Sequence, residues 1–235
     1  MSLLTLANVT KTYGNHVGVR AVDDVSLVLE RGAFAALAGP SGSGKTTLLN
    51  LVGGLDKPDR GTIRIGEAEI TAMPPSALAD FRLRRLGFIF QAFNLLPVLT
   101  VVENLEFVPA LQGMAAAERR RRAHDLLAKV GLADVGGKRP NELSGGQQQR
   151  VAVVRAILTE PDVVLADEPT ANLDSANAER LLEMMQELNR ERGVTFLFST
   201  HDPQVMARAR RLIRLRDGRI DADDTHSSAT TQTRP

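Results

Sequence analysis

Two hydrophobic rhythms run along this chain. Near the N-terminus, Leu4, Leu6 and Val9, and then residues 22–29, alternate with polar neighbours, the period of half-buried strands. Elsewhere short runs are apolar throughout, at residues 33–38, 86–90, 163–166 and 196–198. Such runs suit strands covered on both faces in a parallel sheet. A hairpin is expected at Asp59-Arg60-Gly61, before a strand over 62–65, and a last strand over 211–215 turns at Asp217-Gly218. Helical spacing takes over from Ser76 to Arg82. It returns between Thr100 and Val130 with a break near Gly113, and again over 147–158 and 175–190. Leu181, Leu182, Met185 and Leu188 supply the apolar face of the last of these helices. Residues 136–140 read as a linker, and the polar stretch from Asp221 to Pro235 as a disordered tail. The expected class is α/β, with an antiparallel β layer early in the chain.

The first buried run leads into Gly39-Pro40-Ser41-Gly42-Ser43-Gly44-Lys45-Thr46-Thr47, and a helix opens after it. This is the spacing of a phosphate-binding loop, G-x-x-x-x-G-K-[ST], between the strand and the helix that it needs. Glycines let the backbone curl so that successive N–H groups point inward. The helix start adds unpaired donors and the positive end of a dipole. Lys45 supplies a mobile charge for the β- and γ-phosphates, and the Thr46 hydroxyl can ligate Mg²⁺.

Other polar groups stand where a parallel sheet delivers its ligands, at the carboxyl ends of strands. Residues 163–166 deliver Asp167, suited to hold Mg²⁺, and Glu168, which could polarise an attacking water. Residues 195–200 deliver His201, a candidate γ-phosphate contact. Gln91 ends another apolar run, and the segment 92–97 after it is either core packing or a partner-facing loop. Leu143-Ser144-Gly145-Gly146-Gln147 precedes a helix and makes a second anion site, although a helix cap also explains Ser144. Asp174 caps the helix that follows it. Tyr13, the single tyrosine, is either packed or a platform for a nucleotide base.

Composition narrows the field. The 235 residues make one domain, or two subdomains on a shared core. The hydrophobic fraction of 43% is that of a globular protein. Basic and acidic residues, 29 and 28, nearly cancel, so nothing calls for nucleic acid. There is no cysteine for a disulfide or a thiolate metal site. No signal peptide and no apolar run of about 18 residues is expected, so membrane contact would come through a partner. The run Arg119-Arg120-Arg121-Arg122 is either solvated surface or a lipid or partner contact.

Taken together, these residues resemble the nucleotide-binding subunit of ATP-binding cassette (ABC) transporters, across residues 4–220. The Leu143-Ser144-Gly145-Gly146-Gln147 segment is the signature that separates this family from other P-loop ATPases. The resemblance implies an ABC-type P-loop core with a mixed, largely parallel sheet, an antiparallel β layer and an α-helical subdomain. Residues 1–90 and 151–220 would form the core with the β layer, and 91–150 the helical and signature subdomain. It implies ATP and Mg²⁺. Tyr13 would stack on adenine. The loop from Gly39 to Thr47, with Lys45, would hold the phosphates. Thr46, Asp167 and Gln91 would face the metal, Glu168 would be the general base and His201 the switch histidine. Ser144 and Gly146 would bind the γ-phosphate of ATP held by a second copy, towards which the Asp174 loop crosses. Partners would be that second copy and a transmembrane permease, with this chain cytoplasmic and peripheral on the inner face of the plasma membrane. The segments 51–56 and 87–96 are similar to the lipoprotein-release and macrolide-export group (LolD-like and MacB-like), and also to the cell-division ATPase FtsE. Gly66-Glu67-Ala68, where a D-G turn is usual, and Val153-Val154-Arg155 depart from its pattern. The alternative function is a regulatory ATPase that signals to an envelope hydrolase or sensor without moving substrate.

Overall fold

The long alternating segments pair with each other, because each has one apolar face to cover. A computed structural model, which describes residues 2–14 and 18–225, places them in β1 (Ser2–Tyr13) and β2 (Val19–Glu30), an antiparallel pair. The other strands are β3 (Phe34–Ala38), β4 (Arg60–Ile65), β5 (Ala68–Glu69), β6 (Leu86–Ile89), β7 (Val163–Ala166), β8 (Thr195–Thr200), β9 (Arg211–Arg216) and β10 (Arg219–Thr225). The helices are α1 (Lys45–Val52), α2 (Pro75–Arg85), α3 (Val101–Leu111), α4 (Ala116–Lys129), α5 (Gly145–Ile157), α6 (Ser175–Arg192) and α7 (Pro203–Arg208).

Two sheets result. An antiparallel sheet has the order β2-β1-β4-β5, and a six-stranded sheet the order β10-β9-β3-β8-β7-β6. Within the second, β9, β3, β8, β7 and β6 run parallel and β10 closes the edge antiparallel to β9. The all-apolar strands are buried on both faces, as their composition requires. Phe34, Ala36 and Ala38 of β3 face one core with Phe196 and Phe198, whereas Ala35 and Leu37 face the other with Leu197. The first core is closed by α3 to α6. There the Phe34 ring packs 5.7 Å from Phe196 and 5.0 Å from Phe198. The second core joins the parallel sheet and α1 to the apolar face of the antiparallel sheet, through Leu4, Leu6, Val25, Leu27, Ile63 and Ile65.

Several expectations are corrected. Asp59-Arg60-Gly61 is not a hairpin: Asp59 N donates to Thr10 O at 2.8 Å and β4 pairs directly with β1. Gly61 marks a close backbone approach, since a Cβ there would lie 2.4 Å from the Asn8 carbonyl, at a register shift in β1. The hairpin turn lies between β4 and β5, at Gly66 and Glu67. Residues 211–215 are not the last strand, and 221–225 are not tail. They belong to β10, whose acids pair with arginines of β9, Asp223 with Arg211 and Asp224 with Arg214. A polar edge strand held by cross-strand ion pairs has no apolar signal to reveal it. The rest of the expected tail, 226–235, lies outside the described residues.

The helix expected from Gln147 starts at Gly145, one residue after its cap. The division at 150/151 falls inside this continuous helix, whose Val151, Val153 and Val154 are all buried. Three of the four arginines on α4 are engaged by acids, Arg120 by Glu106, Arg121 by Glu118 and Asp125, Arg122 by Glu118 and Glu160, while Arg119 donates to Met114 O. Among the described residues no helix is long and apolar enough to cross a membrane.

Candidate nucleotide site

The carboxyl ends of β3, β7 and β8 bring the predicted groups to one place. After β3 the chain curls through Gly39, Gly42 and Gly44, with φ of 154°, 80° and 101°, and enters α1 at Lys45. Gly44 is the critical one. It lies in the left-handed region, and a Cβ there would stand 2.2 Å from the Ala21 carbonyl oxygen. Ser43 O accepts from Gly218 N at 3.2 Å, which ties the loop to the turn between β9 and β10. We expect Gly44→Ala to abolish ATP binding and to lower stability by about 1–3 kcal/mol. Isothermal titration and thermal melting check both parts; an unchanged affinity would mean that the loop tolerates another shape.

Lys45 is almost buried, and its ammonium donates to Gly39 O at 2.8 Å and Pro40 O at 3.0 Å. Glu168 Oε1 lies 4.0 Å from the same nitrogen and 2.9 Å from His201 Nδ1. Glu168 itself has a left-handed backbone, φ 45°, which turns its carboxylate towards the loop side of the sheet. Asp167 Oδ1 accepts from the Thr46 hydroxyl at 3.1 Å and from the Ser199 hydroxyl at 2.6 Å. Ser199 Oγ in turn accepts from Glu168 N at 2.8 Å. Ser199 is a residue the sequence reading missed. It is fully buried in β8 between the two acids and fixes both. Its signal was a hydroxyl that follows the apolar run Phe196-Leu197-Phe198, two residues before His201.

Lys45, Thr46, Glu168 and His201 line a cleft of about 520 Å³, with Tyr13, Ser41, Gly42, Gly44, Thr47 and Gln91 on its walls; Gly39, Ser43 and Asp167 are not on them, although Asp167 is bonded to Thr46. Val19, Ala21 and Ala171 complete the walls and were not anticipated. Tyr13 is 45% exposed, so its ring is available at the cleft and not consumed by packing. Gln91 is held by its backbone, which accepts from Asn172 Nδ2 at 2.8 Å. Behind the loop, Ser43 Oγ is buried without a hydrogen-bond partner.

Ser144, Gly146 and Asp174 do not line this cleft. Ser144 caps α5 in a capping box with Gln147: Ser144 Oγ accepts from Gln147 N at 3.3 Å and Ser144 N donates to Gln147 Oε1 at 2.9 Å. Asp174 caps α6 by accepting from Asn177 N at 2.9 Å, and this backbone donor holds its carboxyl below the usual carboxylate range. The partners that fix the 92–97 loop also lay beyond the sequence reading. Phe93 and Asn94 both have positive φ, and Arg155 of α5 donates to both of their carbonyls, at 3.0 Å for Phe93. Gln149, fully buried on the same helix, donates to Pro169 O at 2.6 Å.

The donor set fits a nucleotide with Mg²⁺. A glycine-rich curl at a helix N-terminus offers N–H groups to phosphate oxygens, with the orphan Ser43 hydroxyl behind them. Thr46 and Asp167 present converging hard oxygens. Among the described residues no group of three or more His, Asp or Glu side chains could hold a metal by itself. Mg²⁺ takes one or two protein oxygens and completes its shell with phosphate and water.

A chain with this fold and this cleft is a P-loop nucleotide hydrolase with an added signature helix. It belongs to the ABC transporter family, whose model matches residues 22–171. It is therefore an ATPase cassette. One relative, a macrolide export ATP-binding/permease protein MacB of Hyphomonas neptunium, is 45% identical over 99% of this chain, which spans 36% of that protein. The ABC transporter ATP-binding protein YtrE of Bacillus subtilis is 46% identical, with 87% of this chain and 89% of its own length covered. The ATP-binding cassette MJ0796, solved as a dimer in a post-hydrolysis state with ADP and Pi, superposes with a TM-score of 0.88 at 39% identity. That likeness covers 97% of this chain and 100% of MJ0796.

Proposed function

We infer that two copies of this chain close head to tail on ATP and drive a membrane permease of the macrolide-export or lipoprotein-release type. The observation that carries this reading is the separation of the two anion sites. Lys45 and its loop lie in the cleft, whereas the N-terminus of α5 with Ser144 and Gly146 lies outside it. Each chain then offers half of two pockets, and only a second copy brings the halves together.

Within a pocket, the N–H groups of the loop and the Lys45 ammonium hold the phosphates. The Tyr13 ring takes the base. Thr46 and Asp167 would hold Mg²⁺, with Gln91 facing it, and the ion would neutralise charge developing on the phosphates. Glu168 Oε1 accepts a proton from the attacking water. His201, 2.9 Å from that oxygen, orients the carboxylate and faces the γ-phosphate. Ser144 and Gly146 of the second copy cap the same phosphate. Hydrolysis removes the bridge and the copies part.

Coupling to a permease has a surface at hand. A groove of about 430 Å³ runs between α2, β6, α3 and α5, lined by Leu83, Phe88, Phe90, Phe107 and Val108. Leu96, on the Gln91 loop, is 40% exposed beside it. An amphipathic cytoplasmic helix of a permease would lay its apolar face there. Arg155 lines the groove and also grips Phe93 and Asn94, so α5 and the Gln91 loop share one wall. The relatives named ATP-binding/permease proteins favour such a partner for this chain.

Light scattering tests the pairing. With ATP, Mg²⁺ and hydrolysis blocked by Glu168→Gln, the mass should be that of two chains. Adding Gly146→Asp should return it to one, because a carboxylate would meet the partner's phosphate. A single-chain mass with ATP already present in the first variant overturns the composite pocket. Extraction of a lipid-linked or amphipathic substrate from vesicles separates a transporter from a purely regulatory ATPase.

A further inference from the structure

The segment after α1 carries a carboxylate that the reaction does not use. Asp56 stands at the end of that helix, where Leu55 N donates to Asn50 O at 2.8 Å and Asp56 N to the same oxygen at 3.3 Å. Its side chain reaches across to β1. Asp56 Oδ2 accepts from the Tyr13 hydroxyl at 2.6 Å, and Oδ1 accepts from Lys11 Nζ at 2.8 Å and from Lys57 N at 2.6 Å. Lys11 also donates to Lys57 O at 2.8 Å, and its ammonium stands over the Tyr13 ring, 5.2 Å from the centroid.

Tyr13 sits near the end of β1 and is nearly half exposed. Such a ring, left to itself, moves among its rotamers. Here the hydroxyl is fixed at one end by a charge-assisted hydrogen bond, and one face is covered by a cation. The other face is left for a base. We propose that Asp56 is a positioning residue for nucleotide binding: by holding the Tyr13 hydroxyl and the Lys11 ammonium together, it fixes the plane on which the base stacks. This rests on the reading of Tyr13 as the base platform. The electrostatics agree. The hydrogen bond to Asp56, with burial, holds the Tyr13 hydroxyl above its ordinary range, and the same partner raises Lys11 against burial. Burial works against ionisation of Asp56, but the hydrogen bonds from Lys11, Tyr13 and the Lys57 backbone outweigh it and leave the carboxyl below its usual value.

The chain has one tyrosine and no tryptophan, so its tyrosine emission reports on Tyr13 and its surroundings. A carboxylate that accepts a phenol's hydrogen bond quenches the phenol. The experiment compares Asp56→Asn, Tyr13→Phe and Tyr13→Ala by tyrosine emission, where the ring remains a tyrosine, and by titration with ATP and with tripolyphosphate, which has no base. Asp56→Asn should brighten the emission. Asp56→Asn and Tyr13→Phe should each weaken ATP binding roughly fivefold, the lower end of what a base stack contributes, and Tyr13→Ala should weaken it further. Tripolyphosphate should bind all of them as it binds the parent. If Tyr13→Ala weakens ATP and Asp56→Asn does not, the positioning role falls and the stack stands. If Tyr13→Ala binds ATP normally, the base platform falls and the positioning role with it. Unchanged emission in Asp56→Asn, or an equal loss for ATP and tripolyphosphate, also overturns the proposal.

Discussion

Glu168→Gln should lower ATP turnover by about 10²–10⁴-fold while ATP binding is retained, the range expected when a general base is removed. The amide keeps the size of the side chain and can still contact His201 Nδ1, 2.9 Å from the present Oε1. It cannot take a proton from water at neutral pH. It also removes a negative charge 4.0 Å from Lys45 Nζ, beside the expected position of the γ-phosphate, so affinity should hold or rise. Bound ATP would then persist and the paired state accumulate. Phosphate release and light scattering on the same sample read both effects. Turnover at the parent rate would remove Glu168 from the role of base and direct attention to His201 or to a base supplied by the second copy.

Lys45→Ala should act on binding first. The ammonium is the one cation on the cleft wall that projects from the phosphate loop itself, and it is 7% exposed. Hydrogen bonds to charged groups contribute about 1.5–3 kcal/mol each. Two such bonds to phosphate oxygens make a loss of about two orders of magnitude or more in ATP affinity, with hydrolysis lost as a result. Lys45→Arg should rescue little. A planar guanidinium cannot replace a compact ammonium whose three donors satisfy Gly39 O and Pro40 O, at 2.8 and 3.0 Å, before they turn to phosphate. Isothermal titration separates the outcomes, and an alanine variant that binds ATP as the parent does would show that the loop amides suffice.

The members of the candidate site were legible in the sequence because their pattern is written locally. The loop from Gly39 to Thr47 carries its own spacing, and the acids and the histidine follow apolar runs whose burial places them at strand ends. The structure brings Lys45, Thr46, Glu168, Gln91 and His201 to one cleft, with Asp167 held against Thr46. What stayed hidden depends on pairings far apart in the chain. Ser199 matters only because β8 lies beside β7. Asp56 meets Tyr13 only because the turn after α1 lies beside β1. Arg155 has no local sign that it holds Phe93 and Asn94, some sixty residues earlier. The misplaced hairpin has the same origin: a glycine needed for close approach to a neighbouring strand reads, in one dimension, like a turn. β10 was missed because its partners are charges, and charge alternation does not announce a strand.

Glu168 occupies a backbone conformation that most side chains avoid, φ 45°, at the end of a buried strand. Holding a residue that carries a Cβ there costs on the order of 1–3 kcal/mol. Glycine would relieve it and leave nothing to accept the proton. Selection for heat resistance alone would therefore push this position towards an inert protein, and a thermally hardened lineage that still burns ATP must find its extra robustness elsewhere in the molecule.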